Sequence, residues 1–506
     1  MHRRTLLASL AAGTAGLAGC SFASGNTPAD DATPTDDDTP TEPPSPTETP
    51  PDDDQQQWPE PPEEMASVVE LETLSRTYAF QPIQQYTDDE ARVVLWFDQT
   101  ATADHPARLR GWLENGNDFE NTFRLGWIPA VGRTFSRQPD GYDHEARLHL
   151  VATENNALTG GAPDLTQTDD GVWYARDGGP ELPETYRMES GERVALEYYL
   201  VGEAGAPGRP TGVYEFRGDS ETARVTVWDT DSPGPDGDSR FAGRSVPVLG
   251  DERTTQWYHE ADDSTVAYVE PSTERVELDG LVSFEMVNNS HQGLRCGHWN
   301  LHKLVDGEWF HVAPTVHTSD CRLLAAGGRT SWSLRAFNGE AVPCGRACGS
   351  DGLTRGYLGG GEYAVVAGYG HPADASGALV ELVGDAVEIV PTDDVTQERD
   401  GDTVVVTDDR YGDGEHPSDA VLTLSRADSA SERLIAEQIL GESGFGASGR
   451  GLRNALAALT ADAERVVLRT DDHVVDSAVG YDTPSRRFRL RGQAYEVRRG
   501  GEFVDQ

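Results

Sequence analysis

Five of the 13 histidines fall between His291 and His317, and the same stretch holds Cys296 and Cys321. Imidazole and thiolate are the side chains that ligate zinc and copper. Asp306-Gly307 is a strong two-residue hairpin signal. It pairs Val305 with Glu308, and hence His302 with His311, with Cβ atoms about 4.5–5.5 Å apart. Strand alternation places Cys296, His298 and His302 on one face. His298, His302 and His311 are therefore candidate ligands for zinc or copper. Several features weigh against a metal. Oxidation would remove the thiolate, and paired imidazoles can simply hydrogen-bond. Pro314 breaks the register before His317, and no methionine lies nearby as an axial ligand. The spacing matches no zinc or blue-copper signature. The expectation is a structural cluster with no cofactor, and a zinc or copper site is the alternative.

Four cysteines, Cys296, Cys321, Cys344 and Cys348, sit in this half of the chain. An even number outside the cytoplasm favours two disulfides, and four cysteines allow three pairings. The expected pairing is Cys296–Cys321, which staples the hairpin, with Cys344–Cys348 closing a small Gly/Arg loop.

Other chemistry is hard to find. There is no nucleophile elbow, Walker loop, His-Glu zincin helix or dinucleotide glycine pattern. Gly359-Gly360-Gly361 precedes a strand pattern and reads as a turn. The glycine-rich run 444–451 precedes a helical pattern and reads as a connector. With 87 acidic residues, carboxylate pairs carry no catalytic information. An enzyme is not expected.

The elements that carry these residues are short strands. One run spans 92–97, 107–113, 123–128, 148–152, 193–201, 212–216 and 223–228. After a Pro/Gly/Asp-rich stretch at 232–239, a second spans 265–269, 281–287, 298–304, 309–312, 330–337, 362–367 and 380–390. Strands at this spacing without a long helix predict β-sandwiches. The two runs share landmarks in order. An Asn-rich bend (Asn115-Gly116-Asn117, Asn288-Asn289-Ser290) comes first. A turn before a strand follows (Met188 to Glu192, Ala325 to Arg329). A Gly-x-Tyr strand is third (Gly212-Val213-Tyr214, Gly361-Glu362-Tyr363). At these landmarks the chain resembles bacterial immunoglobulin-like domains of cell-surface proteins. The second run is the better match, through Trp299 to Trp309. The first has a weaker likeness to the Ig-like fold of intracellular proteinase inhibitors. The resemblance spans about residues 90–390 and implies a fold, not a function.

The N-terminus carries Arg3-Arg4, a short Gly/Ala-rich apolar stretch and Leu17-Ala18-Gly19-Cys20. The first two elements read as a twin-arginine export signal. The last resembles a lipobox, and in that lipoprotein family the resemblance implies cleavage before Cys20 and a lipid on its sulfur. Residues 21–64 hold 11 prolines, 13 acids and no lysine or arginine. Such a stretch cannot bury enough apolar surface to fold, and like charge extends it.

Net charge is −46, and 40 of the 41 basic residues are arginine, the exception being Lys303. Self-repulsion of this size is relieved when the Debye length falls to about 3 Å at molar salt. The pattern resembles proteins of halophilic archaea. It also makes a nucleic-acid partner unlike this chain, since phosphate binding needs a basic surface.

From 420 onward the pattern is mixed. A strand at 421–424 precedes a capping box at Ser429 to Glu432 with helical spacing through Ile439. A second helix spans 452–459, and strands span 465–470 and 488–497. Residues 395–411 read as a linker or edge hairpin. Arg486, Arg487, Arg489, Arg491, Arg498 and Arg499 crowd the end. They read either as a docking face for an acidic partner or anionic headgroup, or as a solvated face with internal ion pairs. The second is favoured, because salt screens exposed charge.

The expectation is a mostly β chain with five parts. These are a signal (1–20), a disordered stalk (21–64), two Ig-like sandwiches (65–231 and 240–392) and a small α+β domain (415–506). It is a lipid-anchored protein facing the exterior, a binding, adhesion or structural module of the cell envelope whose partner is an envelope protein or glycan. The alternatives are a metal-handling lipoprotein, and an extracellular enzyme or inhibitor without a recognisable motif.

Overall fold

The computed structural model describes residues 58–500, apart from 133, 139–145, 204, 206–208, 251–252, 343–351, 413, 415–417 and 442–448. Arg3, Arg4, Cys20, Cys344 and Cys348 lie outside the described residues. The described residues are mostly β, with 44% of them in strands and 7% in helices, so their sites must be built on sheets and loops. Among the described residues no helix is long and apolar enough to cross a membrane.

The first sandwich packs a four-stranded sheet on a seven-stranded one. The smaller sheet runs Ser67–Glu70, Thr77–Gln81, Thr222–Trp228, Gly212–Arg217. In the larger, Ala91–Gln99, Ala107–Asn115 and Arg193–Gly202 lie side by side. Phe80, Leu95, Leu109, Leu113, Tyr198 and Phe216 fill the space between them. The opposite face of the larger sheet carries ion pairs of Arg92 and Arg193 with Glu114 and of Arg108 with Asp98 around an aromatic pair. There Trp96 and Trp112 meet edge-on, capped by Arg110 and Arg193.

The second sandwich repeats the plan. Ala267–Pro271, Gly280–Asn288, Arg329–Ala336 and Gly352–Arg355 form one sheet. The other places Ala375–Val383, Gly361–Ala367, Trp299–Val305 and Glu308–Ala313 in that order. Trp299 and Trp332 stack across the core with ring centroids 5.9 Å apart.

The repeat seen in the sequence is carried by matching hydrogen bonds. The fully buried Asn115 donates to the carbonyls of Phe119, Met188 and Glu189, and the fully buried Asn288 to those of Gln292, Leu324 and Ala325. Gly191 and Gly327, at φ 69° and 67°, donate to the carbonyls of Asn115 and Asn288. These bonds align Gly191 with Gly327, one residue off the match expected from sequence. Tyr214 and Tyr363 each donate, at 2.7 Å, to the carbonyl four residues upstream, Pro210 and Gly359. The same side-chain-to-backbone bond thus closes the corresponding corner of each sandwich.

The C-terminal part is a seven-stranded mixed sheet. Its order is Thr396–Asp400, Thr403–Thr407, Arg465–Asp471, Asp419–Ala427, Gln493–Arg499, Ser485–Leu490, Glu432–Arg433. Helices Arg450–Ala458 and Asp472–Val479 bury Leu452, Ala455, Val475 and Ala478 against Val406, Leu422, Leu424, Val466 and Leu468. The edge hairpin at 396–407 belongs to this sheet, so the α+β part begins before residue 415.

Several local expectations need correction. Residues 123–128 are the end of Asn121–Arg124 followed by a 3-10 turn. The strand expected over 380–390 is Ala375–Val383, and its last residues leave the sheet. Ser429 to Glu432 does not cap a helix. Glu432–Arg433 instead joins the sheet edge in parallel with Phe488 and Arg489. The helix is only Ala436–Leu440. The strand at 488–497 is a hairpin turning at Arg491-Gly492. The helix Asp472–Val479 was not expected. Its cap, Asp471, accepts the Val474 N–H at 2.7 Å, a signal present in the sequence but hidden behind a strand pattern.

Candidate functional site

The histidine hairpin forms as the Asp306-Gly307 signal requires. Both turn residues have positive φ, 52° and 80°, Val305 opposes Glu308 and His302 opposes His311. The turn sets that register, and a bulge between Leu301 and His302 shifts the pairing only beyond it, so that Leu301 opposes Ala313. The imidazoles of His302 and His311 meet edge-on at 5.2 Å, and those of His298 and His317 lie 4.8 Å apart. Asn300 Oδ1 links the two pairs, accepting from His311 Nε2 at 3.3 Å and His317 Nε2 at 2.8 Å.

Burial favours the neutral form of His302, His311 and His317. Burial, then the nearby His311, pushes His302 down to about 4. Burial also lowers His311, helped by His317 and Arg355, and lowers His317, helped by His298 and Arg322.

The structure pairs His302 with His311 and His298 with His317 and does not bring His298, His302 and His311 together as one group. Among the described residues no group of three His, Cys, Asp or Glu side chains could hold a metal ion. The rings form two separate pairs, with Asn300 between them. His298 precedes the strand, which begins at Trp299, so simple alternation does not extend to Cys296. Cys296 has φ 59°, and its sulfur is bonded to Cys321. That disulfide anchors the loop that brings His317 back to the hairpin.

A second site was not read from the sequence. A cleft of about 480 Å³ opens between the second sandwich and the C-terminal sheet. Its lining includes Lys303, Asp306, Arg433, Glu437, Arg489 and Arg491, over an apolar floor of Val305, Val387, Leu434, Ile435 and Leu490. Such volume and mixed lining are typical of small-ligand sites.

Lys303 explains how the cleft is held. Its ammonium is buried against the buried carboxylate of Glu437, beside the Gly359 carbonyl at 3.4 Å and 5.1 Å from the Tyr363 ring centroid. Glu437 also accepts the Gly359 N–H at 3.2 Å. Burial, then Glu437, pushes the Tyr363 phenol well above its ordinary value. Glycine at 359 leaves room for the pair, since a Cβ there would lie 2.9 Å from Glu437 Oε1 and 3.3 Å from Lys303 Nζ and would push both ends aside. Around the pair, Arg433 reaches Asp306 at 3.0 Å and Glu308 at 2.6 Å. Buried Arg355 joins the carbonyls of Val312 and Glu437, and Ile435 enters the core of the second sandwich.

The arginine-rich end divides between two roles. Arg486 pairs with Glu432, Arg487 and Arg498 with Glu496, and Arg499 with Asp472 and Asp476. These are internal ion pairs on a solvated face. Arg489 and Arg491 instead line the cleft.

No family model matches the chain, and no curated protein matches it. Solved structures with some similarity include a polysaccharide lyase. The two are 11% identical with a TM-score of 0.14, over 62% of this chain and 36% of that one. A GH2 β-galacturonidase from Eisenbergiella tayi is 11% identical with a TM-score of 0.12, over 68% of this chain and 46% of that one. This chain thus spans less than half of either protein, and at these TM-scores neither superposition defines a shared fold.

Proposed function

We propose that this chain is a lipid-anchored, extracytoplasmic binding protein of a salt-adapted cell, whose ligand site is the cleft between the second sandwich and the C-terminal domain. The observation that carries the reading is the cleft itself. It is a formed cavity with an apolar floor and convergent polar groups, held by a buried ion pair between two domains. Arg3-Arg4 and Cys20 support export and anchoring, and the acidic proline-rich segment supports a stalk that lifts the body from the membrane.

The test has two arms. Cys20→Ser should move the protein from the membrane fraction to the medium. Envelope glycans and proteins should bind the wild-type chain in molar salt and lose binding to Ala386→Trp, which fills the cleft from its exposed rim. Binding undiminished by Ala386→Trp would place the site elsewhere.

A further inference from the structure

The charge balance of the cleft departs from that of the chain. The protein carries −46 overall, yet four cations and only two carboxylates line this cavity. Both carboxylates are already engaged, Asp306 by Arg433 and Glu437 by Lys303. Arg433 and Lys303 are engaged by the same pairs. Arg491 donates to the Val387 carbonyl.

Arg489 is different. Among the described residues of the C-terminal domain, every other arginine side chain meets a carboxylate, a carbonyl, a hydroxyl or an aromatic ring, as Arg465 meets Thr403 and Arg469 meets Tyr411. The Arg489 guanidinium, on an exposed residue at the cleft wall, meets none, although carboxylates are twice as abundant as bases in the sequence. Arg491 adds a second, independent mark. It occupies the first position of the Arg491-Gly492 turn at φ 49°, where glycine or asparagine is the unstrained choice. Local strain of this kind concentrates at ligand sites. The hairpin therefore sets two guanidinium groups at one wall of an apolar-floored cavity, and one of them has no internal partner.

We propose that the cleft binds a small organic anion, a carboxylate or phosphate ester on a compact body with an apolar face, with Arg489 as the principal contact to the anionic group. The proposal rests on the reading of the cleft as the ligand site and adds the chemistry of the ligand. Guanidinium suits both oxyanions because its planar fork gives two parallel hydrogen bonds. Molar salt removes long-range attraction but not a directional contact. The apolar floor of Val387, Leu434 and Leu490 supplies the part of the affinity that salt does not screen.

The experiment is a ligand-observed NMR titration of the mature chain in molar potassium chloride, with matched pairs that differ in charge: glucuronate against glucose, glucose 6-phosphate against glucose, and hexanoate against hexanol. At least one anion should bind about tenfold or more tighter than its neutral partner. Arg489→Gln should weaken it at least about tenfold, and Ala386→Trp should abolish it. The preferred anion distinguishes a carboxylate from a phosphate ligand. Neutral partners binding equally well, or anion binding unchanged in Arg489→Gln, would overturn the proposal while leaving the cleft as a ligand site if Ala386→Trp still abolishes binding. No binding by any of the probes would also overturn it. The reading of the cleft would then stand or fall on the envelope-ligand test with Ala386→Trp.

Discussion

Acidification should destabilise the second sandwich through His302. In the fold its pKa is pushed down to about 4 by burial, then by His311. In the unfolded chain it returns to about 6.5. Between these values the unfolded state binds more protons than the folded state, so stability falls as pH falls. The native state carries no penalty from His302 above about pH 6.5, and the full loss is reached near pH 4. A gap of about 2.5 units corresponds to roughly 3 kcal/mol at 1.36 kcal/mol per unit. His311 and His317 are lowered as well and push in the same direction. Protonation of surface acids works the other way, because it reduces the self-repulsion of a −46 chain. The informative quantity is therefore a difference. Guanidinium unfolding of wild type and His302→Gln should be compared at fixed ionic strength from pH 7.5 to about 4.5. The gap in unfolding free energy should shift toward the variant by about 2–3 kcal/mol as pH falls. Parallel pH profiles for the two proteins would refute the burial argument for His302.

Three other outcomes follow from the same geometry. Glu437→Gln should cost about 3–5 kcal/mol because it leaves the Lys303 ammonium buried without its counter-charge. Lys303→Met combined with Glu437→Gln should recover much of that, which a thermal-unfolding double-mutant cycle reads directly. Replacing Cys296 and Cys321 by serine opens a loop of 25 residues and should cost roughly 3–4 kcal/mol by chain entropy; chemical unfolding with and without reductant checks it. Lowering potassium chloride from molar to about 0.1 M lengthens the Debye length from about 3 to 10 Å, and the melting temperature should fall. An unchanged melting point would remove the electrostatic reason for the acid excess.

Much of the framework was legible because it depends on local rules. The Asp306-Gly307 turn fixed a register, so His302 opposite His311 followed without any tertiary information. Strand positions followed from alternation and turn residues, and the repeat from Asn115 and Asn288, whose side chains must close equivalent loops. The misses have equally specific causes. Helical spacing around Ile435 was genuine, but the sheet edge captured Glu432 and Arg433 and delayed the helix to Ala436. A run of alternating arginines looks like one strand unless Arg491-Gly492 is recognised as a turn, and arginine in the left-handed region gives no such warning. The histidines share a neighbourhood but not a centre, since alternation says which face a ring lies on and nothing about whether several rings converge.

Lys303 shows where sequence reading reached its limit. Beside 40 arginines the chain holds one lysine, which marks the position without saying what it does. The reason lies 134 residues away in Glu437, in a helix too short to be secured by its own pattern. Lys303 sits where a Cβ at Gly359 would approach its nitrogen to 3.3 Å and one at Gly361 its Cε to 3.1 Å. A compact ammonium fits among Glu437, the Gly359 carbonyl and the Tyr363 ring, whereas the broader guanidinium fork would overpack the site. On a solvated surface, hydration and screening set the choice between the two cations, whereas at a buried position volume and counter-charge decide. The single lysine is thus the residue the sequence marks most clearly, and its meaning appears only when two domains close around it and leave the arginine-lined cleft alongside.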